Sequence, residues 1–481
     1  MLRKIIALGF ALLKKFLTVL KNKSLLLVFL SSLLLGLSFS RYNLGFLAWF
    51  ALCPFLLAIE NKNWQKRILL FFVLGALSFF LIIFWLVHVS FLGLVATSIY
   101  LGLWFGFFGI FSLPASRPFA LLVTPLSWVL LERMRGIFFN GFGWGVIAYT
   151  QHKNIWLIQI ADKIGIGGIS FLIVFINVVI CRAIKNFKQE KTLRKSQRQI
   201  AVSLILFMII YFYGGFCLQK KFPGIDLSVS VIQGNIQQEK KWDPVFRDIN
   251  LGQHITLTKE ADKKNPDLIV WPETSVAGYL LEEPDLYKTI TSLSRQITAY
   301  LLLGSPREDY SDQTYYNSAF LFAPGGELKR FYDKIHLVPF GEYLPYENIF
   351  WFLKNTPIAD FSAGREYTVF PVPNKQGKIF NFAVLICFED VFPALVKKFK
   401  ATGADFFINI TNEAWFKHSQ EPDQHLAMSV FRAVENRSWF VRAANTGISC
   451  FIDPYGRVQK MLKKENKNIF ISGQLTHNLS L

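Results

Sequence analysis

The chain contains few cysteines, and acidic residues are scarce in its first half; each scarcity excludes a class of protein. The five cysteines of this 481-residue sequence form no CxxC pair and no cysteine–histidine spacing typical of a metal site or a disulfide framework. Residues 1–222 hold 24 Lys and Arg against 4 Asp and Glu, whereas residues 223–481 hold 28 against 29. The net charge of +19 therefore lies in the first half. No basic stripe with interleaved aromatic residues occurs outside it, so the charge does not indicate nucleic-acid binding.

Hydrophobic residues dominate the first half and predict a membrane domain. The whole sequence is 52% hydrophobic and contains 49 Phe, which exceeds the usage of ordinary globular proteins. A spanning helix needs roughly 20 mostly apolar residues. The first two predicted spans are short and closely spaced, so a re-entrant or tilted hairpin is an alternative there. The seven predicted spans lie near 24–39, 42–58, 68–87, 91–113, 118–132, 165–184 and 200–217.

Lys and Arg are unevenly distributed among the loops, which predicts the orientation of the spans. Residues 1–23 contain six of them and form a basic, amphipathic segment that we expect on the membrane surface. The segments 59–67 and 182–198 contain three and seven. Since cytoplasmic loops are enriched in Lys and Arg, we expect a cytoplasmic N-terminus and a non-cytoplasmic location for the residues after 218. No apolar run follows residue 472, so we expect no further span before Leu481.

From Asp226 onward the pattern changes to alternating short apolar runs and amphipathic helices, which predicts an α/β domain with buried strands. Helices are expected over 244–263, 284–297 and 420–438. We therefore predict a membrane domain over 1–222, a catalytic domain over 223–475 and a tail over 476–481. The predicted strands are Leu227–Gln233, Asp267–Trp271, Tyr300–Gly304, Ser318–Ala323, Phe382–Ile386, Asp405–Ile410 and Gly447–Ile452.

Three residues of this domain combine into a plausible covalent-catalysis site. Glu273 and Cys387 follow predicted strands, where reactive residues of open α/β sheets gather, and Lys334 follows the run after Gly325 and Gly326. A thiol near pKa 8.5 is mostly protonated at neutral pH, so it needs a base or a nearby cation. Glu273 could accept the thiol proton, and Lys334 could stabilise an oxyanion. Taken singly, the three have ordinary explanations: Cys387 as a buried small residue, Glu273 as a turn residue and Lys334 as a solvated lysine.

Residues 226–470 closely resemble the nitrilase superfamily, and the preceding apolar spans narrow the resemblance to the apolipoprotein N-acyltransferase family of bacterial inner membranes. In the first half it includes Trp156–Asp162 and Gly168–Phe171. The family differs in commonly having Tyr, Asp and Gly where this chain has Phe388, Glu413 and Lys417, and in typically ending with a further membrane helix. The specific motifs are Val231–Asn235, Trp271–Thr274, Tyr332–Lys334, Val338–Glu342, Cys387–Glu389 and Asn412–Phe416.

The resemblance implies a four-layer α-β-β-α sandwich carrying a Glu-Lys-Cys triad. It makes Cys387 the nucleophile, Glu273 the base and Lys334 the oxyanion partner, with Glu342 orienting the lysine. Glu389 would hold the nucleophile loop, although a salt bridge outside the site is an equal alternative. Trp242, Trp415 and Phe416 would line the acyl or headgroup entrance, with core or interface packing as the alternative. The aromatic stretch 344–362 is expected to be a mobile lid or a membrane-dipping arm, with an ordinary buried loop as the alternative.

The implied activity is acyl transfer through a Cys387 thioester. A membrane phospholipid is the donor, and the N-terminal amine of diacylglyceryl-cysteine on an apolipoprotein is the acceptor. No metal or cofactor is implied. The location would be the bacterial inner membrane, multi-pass, with the catalytic domain on the periplasmic side. In such an oxidising compartment Cys387 and Cys450 should lie beyond disulfide reach.

Two alternative functions remain open from the sequence. A membrane-anchored amidase or nitrilase that hydrolyses a small carbon–nitrogen substrate would use the same three residues. It would need neither the spans nor the aromatic stretch. A transporter or receptor with a catalytically dead binding module belongs to a different class, and the intact set of Glu273, Lys334 and Cys387 argues against it.

Overall fold

The computed structural model describes residues 22–138, 141–220, 224, 226–311, 313–353 and 359–481. The expected amphipathic segment 1–23 lies almost entirely outside the described residues, as do residues 354–358 of the expected lid. The chain divides into two compact units, one ending at Gly215 and the other beginning at Phe216.

The first unit is helical. Four of its helices follow a residue whose side chain accepts a hydrogen bond from the first turn, which satisfies a backbone donor that the helix leaves free. These capping residues are Asn22, Asn63, Ser90 and Asn154. Its helices are α1 (Lys23–Ser38), α2 (Cys53–Ile59), α3 (Trp64–Ile82), α4 (Phe91–Phe111), α5 (Ala120–Arg135), α6 (Ile155–Ile158), α7 (Ala161–Glu190) and α8 (Gln197–Leu218).

Four helical segments of the described residues are long and apolar enough to cross a membrane: Trp64–Ile82, Phe91–Phe111, Ala161–Glu190 and Arg194–Leu218. Helices also occupy the other three predicted positions but are shorter, so the count of seven spans stays a prediction. Gly165 has φ 64° and interrupts α7 near its start.

The predicted span over 42–58 is a broken element rather than one helix. A 3₁₀ turn over Gly45–Trp49 precedes α2. The buried Asn177 of α7 fills the break: its Nδ2 donates to Ala48 O at 2.9 Å, and its Oδ1 accepts from Leu52 N at 2.9 Å. Backbone groups freed by a broken helix need such partners in an apolar environment.

The second unit contains two six-stranded sheets. Their strand orders are β12-β1-β2-β3-β4-β5 and β11-β10-β9-β8-β7-β6. Within them β1, β2 and β3 run parallel, as do β7, β8 and β9. The strands are β1 (Asp226–Gln233), β2 (Leu268–Val270), β3 (Tyr300–Asp309), β4 (Thr314–Phe322), β5 (Leu328–Asp333), β6 (Val369–Pro373), β7 (Ile379–Ile386), β8 (Phe406–Thr411), β9 (Phe440–Ala444), β10 (Cys450–Ile452), β11 (Val458–Met461) and β12 (Gly473–Ser480).

The two sheets pack face to face, with β1 against β9 and β4 against β7, and helices cover their outer faces. Apolar residues of the helix Pro284–Gln296 share one core with β2, β3 and β4. This arrangement agrees with the expected α/β sandwich. The helices of this unit are α9 (Gln238–Lys241), α10 (Arg247–Asp262), α11 (Pro284–Gln296), α12 (Pro393–Ala401) and α13 (Glu421–Asn436).

The segment 476–481, expected to be a tail, instead continues strand β12. Residues 473–480 pair antiparallel with the whole of β1, from Gln233 opposite Gly473 to Asp226 opposite Ser480. The Leu479 side chain is completely buried. Backbone pairing and this burial make the segment part of the sheet.

Several loops that carry the sequence motifs begin where a parallel strand ends, which brings them to one edge of the sandwich. Asn235 follows β1, Glu273 follows β2, Cys387 follows β7, and Asn412 follows β8. Lys334 directly follows β5. The sequence motifs therefore lie on loops that the sheets bring together.

Candidate active site

Cys387 occupies a strained turn at the end of β7. It is the first residue of a 3₁₀ turn over Cys387–Val391 and has φ 52°, a left-handed conformation that residues other than glycine rarely adopt. Such strain costs about 1–3 kcal/mol and persists only where the surroundings enforce it. The Cys387 backbone O accepts from Asn409 Nδ2 at 3.0 Å, which helps to hold the turn.

The Glu273 carboxylate is buried and is held at both oxygens. Its Oε1 accepts from Asn317 Nδ2 at 2.8 Å, and its Oε2 accepts from the backbone N of Asn412 at 2.9 Å. The two donors come from β4 and from the loop after β8, so both sheets contribute to its position. A carboxylate fixed in this way can accept or return a proton without reorienting.

Lys334 is completely buried between two carboxylates. Its Nζ lies 2.8 Å from Glu342 Oε2 and 3.6 Å from Glu273 Oε1. Asn317 bridges the same two acids, because its Nδ2 donates to Glu342 Oε1 as well as to Glu273, each at 2.8 Å. Glu342 also accepts from the backbone N of Val338 at 2.8 Å. The predicted orienting role of Glu342 is thus compatible with the geometry.

The charges of Glu273 and Lys334 both act on the Cys387 thiol. Burial, and after it the Glu273 carboxylate, raises the pKa of Cys387 well above its usual value, while Lys334 acts in the opposite direction. Burial alone would lower the pKa of Lys334, but Glu342 and Glu273 outweigh it and raise that pKa. The resting site therefore holds a neutral thiol beside an ammonium. We call Glu273, Lys334, Glu342 and Cys387 the reactive cluster.

Glu389 is a buried brace between the two loops that carry Lys334 and Cys387. One of its oxygens accepts from Tyr332 Oη at 2.7 Å and from the backbone N of Ile335 at 2.7 Å. The other accepts from the backbone N of Ile386 at 2.8 Å. Burial raises the pKa of Glu389 to about 7 against the opposing effect of these hydrogen bonds. The geometry favours the loop-holding role over the alternative salt bridge.

The three residues expected at the substrate entrance lie on loops around this edge, and their role stays a prediction. Trp242 and Trp415 are each 50% exposed, which does not fit core packing, and Phe416 is partly buried. In the expected lid, Ile349, Trp351 and Phe352 are exposed, with Trp351 at 71%. An ordinary buried loop is therefore not what the described part of this segment forms.

Sequence reasoning missed two of the polar residues that hold the reactive cluster. Asn317 lies inside β4, and nothing in its local sequence distinguishes it from other polar strand residues. Lys241 is the last residue of α9 and is buried, with its Nζ donating to the backbone O of Glu273 at 3.0 Å. Asn412 belongs to the motif Asn412–Phe416, but that motif does not predict the hydrogen bond from the Asn412 backbone N to Glu273.

A second buried cluster lies behind the nucleophile turn, and we call Asp390, Glu413, His425 and Arg442 the sealed network. His425 Nε2 lies 2.7 Å from Asp390 Oδ1, and its Nδ1 lies 2.7 Å from Glu413 Oε1. Arg442 contacts both acids, at 3.2 Å and 2.7 Å. Elsewhere on α13, Arg432 Nη2 lies 2.8 Å from Glu435 Oε2.

Within the described residues, Glu413, Glu421 and His425 are close enough to hold a metal ion, since their ligand atoms lie within 4.8 Å of one another. Both ring nitrogens of His425 are already hydrogen-bonded to carboxylates. Arg442 Nη2 also donates to the same Glu413 oxygen at 2.7 Å, which disfavours a cation there. The absence of a metal and a cofactor stays a prediction.

Comparison with known families assigns both halves of the chain. The carbon-nitrogen hydrolase family profile matches residues 228–474, and the profile of the apolipoprotein N-acyltransferase N-terminal domain matches residues 31–179. A curated apolipoprotein N-acyltransferase from Geobacter metallireducens is 36% identical over 92% of this chain and 87% of its own length. Apolipoprotein N-acyltransferase 1 from Treponema denticola is 30% identical over 93% and 90%.

Two of the solved structures that resemble this chain match over about half of it. Saccharomyces cerevisiae Nit3, a member of branch 10 of the nitrilase superfamily, matches with a TM-score of 0.41 and 19% identity over 54% of this chain and 92% of its own. An amidase from Nesterenkonia sp. matches with a TM-score of 0.39 and 19% identity over 53% and 91%.

Proposed function

The chain belongs to the apolipoprotein N-acyltransferase family, and on that premise we propose that it moves an acyl chain from a membrane phospholipid to apolipoproteins. The acceptor is the N-terminal amine of diacylglyceryl-cysteine. The observation that carries the proposal is the convergence of the buried Glu273 and Lys334 with the partly buried Cys387, in a chain that matches this family along most of its length. The enzyme is an acyltransferase of the carbon-nitrogen hydrolase superfamily.

The first half-reaction forms a thioester. Glu273 accepts the thiol proton while Cys387 Sγ attacks the ester carbonyl carbon of the phospholipid. Lys334 stabilises the resulting oxyanion, since an ammonium in a buried site acts strongly on developing charge. The carbon–oxygen bond then breaks, and the lysophospholipid leaves with the proton that Glu273 returns. The raised pKa of Cys387 fits this order, because the thiol stays neutral, and slow to oxidise, until its base acts.

The second half-reaction forms an amide. The acceptor amine attacks the thioester carbonyl carbon and gives a proton to Glu273. Lys334 again stabilises the oxyanion. The carbon–sulfur bond breaks, and the sulfur regains a proton from Glu273, which restores the resting thiol. One site with one base thus serves both half-reactions, as a ping-pong mechanism requires.

A membrane location follows from the family and from the four apolar helices. We infer that the chain is multi-pass in the bacterial inner membrane with its second unit on the periplasmic side. Both proposed substrates are lipids anchored in that membrane, so confinement raises their effective concentration at the site. A small-substrate amidase is not favoured, because the relatives match over the membrane half as well.

The test is acylation of the purified protein by labelled phospholipid without acceptor, followed by mass spectrometry. We expect an acyl group on Cys387 in the wild type and in Cys450→Ala, which removes the other thiol of the predicted catalytic domain 223–475, but none in Cys387→Ala. A diacylated lipopeptide should then release the label as an amide. Equal adducts in wild type and Cys387→Ala would overturn the mechanism, and release as free fatty acid would support the hydrolase alternative.

A further inference from the structure

Lys241 is a buried cation that the proposed reaction does not use. It ends the one-turn helix α9 and is 4% exposed. Lysine is almost never fully buried unless it is paired, because removing its charge from water is costly. The contacts that hold Lys241 in place therefore indicate its role.

Lys241 contacts the turn that carries the proposed base. Its Nζ donates to the backbone O of Glu273 at 3.0 Å. The next residue, Thr274, has φ 44°, a strained conformation for a β-branched residue. Gly304 of β3 also packs against this turn, where a Cβ atom would lie 2.6 Å from Thr274 N. The Glu273 turn thus contacts both Lys241 and β3.

The segment before Lys241 is tied to the same site by amide side chains. Asn412, whose backbone N donates to Glu273, also donates from Nδ2 to Gln238 Oε1 at 2.9 Å. Asn445 Nδ2 donates to Ile236 O at 2.8 Å and to Asn412 Oδ1 at 2.9 Å. One set of hydrogen bonds therefore positions both the carboxylate of Glu273 and the helix that presents Lys241.

The charge of Lys241 acts on both Glu273 and Cys387. Burial lowers the pKa of Lys241 to about 8, and those two groups oppose the shift. His254 of α10 faces the same region, but burial lowers its pKa to about 4, so it stays neutral. Lys241, His254 and Glu273 line one pocket. Arg247 lines it as well, and its Nη1 lies 2.6 Å from Glu283 Oε2. Near neutral pH, Lys241 is thus a second ammonium beside Glu273 and Cys387, and it titrates in an accessible range.

We propose that Lys241 is a positioning residue for acyl transfer. Its ammonium fixes the Glu273 turn. Glu273 and Glu342 share one cation, Lys334, and Lys241 adds a second positive charge beside them. It acts through Glu273 and Cys387 and does not touch the substrate. This inference rests on the proposed function, since it assigns a role within that reaction.

The experiment measures the rate of Cys387 acylation by labelled phosphatidylethanolamine in detergent micelles between pH 6 and 10. Lys241→Met removes the donor and the charge. Lys241→Arg keeps both but does not titrate in this range, because arginine holds its proton to about pH 12. Lys240→Met is the matched control, since Lys240 is the exposed neighbour whose side chain lies over Phe246.

We expect Lys241→Met to lower the acylation rate about 10- to 100-fold at pH 7, as small displacements of a reacting group do, with little change in the dependence on lipid concentration. The wild-type rate should decline as pH rises through about 8, where Lys241 loses its charge. Lys241→Arg should keep its rate above that pH, and Lys240→Met should match the wild type. Ionisation of the phosphatidylethanolamine headgroup over this pH range is the same for all four proteins, so it does not affect the comparison among them.

If Lys241→Met shows the wild-type rate and the wild-type pH profile, this inference is overturned. The proposed function then still stands, because the adduct still forms. No adduct in the wild type would overturn both. If Lys241→Met does not fold, Lys241→Arg decides: a decline that moves to higher pH supports the role of the charge, and an unchanged pH profile contradicts it.

Discussion

The second unit contains two clusters of charged side chains, and each includes a residue of the turn Cys387–Val391. The reactive cluster joins Glu273, Glu342 and Lys334 to the thiol of Cys387. The sealed network begins three residues further along the chain at Asp390. Both remove ionised groups from water, which costs several kcal/mol per ion unless partners compensate.

The clusters differ in how their charges are balanced. In the sealed network Asp390 and Glu413 face His425 and Arg442, and burial with the nearby Glu413 raises the pKa of Glu421 well above its usual value, so that Glu421 stays neutral. Two negative groups then face two positive ones, and the Ser429 hydroxyl among them donates to Asp390 Oδ2 and accepts from Arg442 Nη1. The reactive cluster instead includes a thiol that can lose its proton to a neighbour. Burial and charge alone therefore do not identify a catalytic site.

The largest effect should come from removing the cation of the reactive cluster. Lys334→Met should lower the rate of Cys387 acylation at least about 10²–10³-fold, because it deletes the proposed oxyanion partner. The measurement is the acylation assay with labelled phospholipid. Lys329→Met removes an exposed lysine of β5 that pairs with Glu327, and it should leave the rate unchanged. A wild-type rate in Lys334→Met would contradict the distinction between the two clusters.

The sealed network should instead be tested by its effect on stability. Arg442→Met leaves Asp390 and Glu413 with one buried partner fewer, and breaking such a pair typically costs about 3–5 kcal/mol. The free energy of unfolding should fall by that order, measured by denaturant titration in detergent. The remaining folded fraction should still acylate Cys387.

Arg330→Met is the matched control for this prediction. Arg330 lies on β5 and its exposed side chain donates to Val369 O at 2.9 Å. Surface substitutions of this kind usually change stability by less than about 0.5 kcal/mol. Equal stability of Arg442→Met and Arg330→Met would show that the sealed network does not stabilise the fold.

The sequence predicted the second unit better where most of a strand's residues are buried. Leu227–Gln233 and Phe382–Ile386 were found because both lie in buried strands, and the structure extends each by only a few residues. β12 was missed because Thr476, His477 and Asn478 interrupt its apolar pattern. This strand depends on pairing with β1, which is distant in sequence, so tertiary context decided it.

For the active site, motif context predicted the chemistry but not the geometry. Glu273, Lys334 and Cys387 are far apart along the chain, and only the sheet order brings their loops together. The buried roles of Lys241 and His425 were missed because a lone lysine or histidine has no local signature of burial. Their partners, Glu273 and Asp390, come from other elements of the sandwich.

The smallest effect concerns the pH dependence of the sealed network. Burial alone would lower the pKa of His425, but Asp390 and Glu413 outweigh it and raise that pKa to about 10. An unfolded histidine titrates near pH 6.5. The raised pKa means that this contribution to stability is full below about pH 6.5 and is lost as pH rises through about 10. The thermal midpoint of the wild type should therefore decline over this range, whereas that of His425→Gln, lower at pH 6.5, should decline less. About 1 kcal/mol shifts the midpoint of a domain this size by ~2–4 °C, so a difference of a few degrees between the declines of the two proteins suffices. Parallel declines would mean that His425 is not held as an imidazolium.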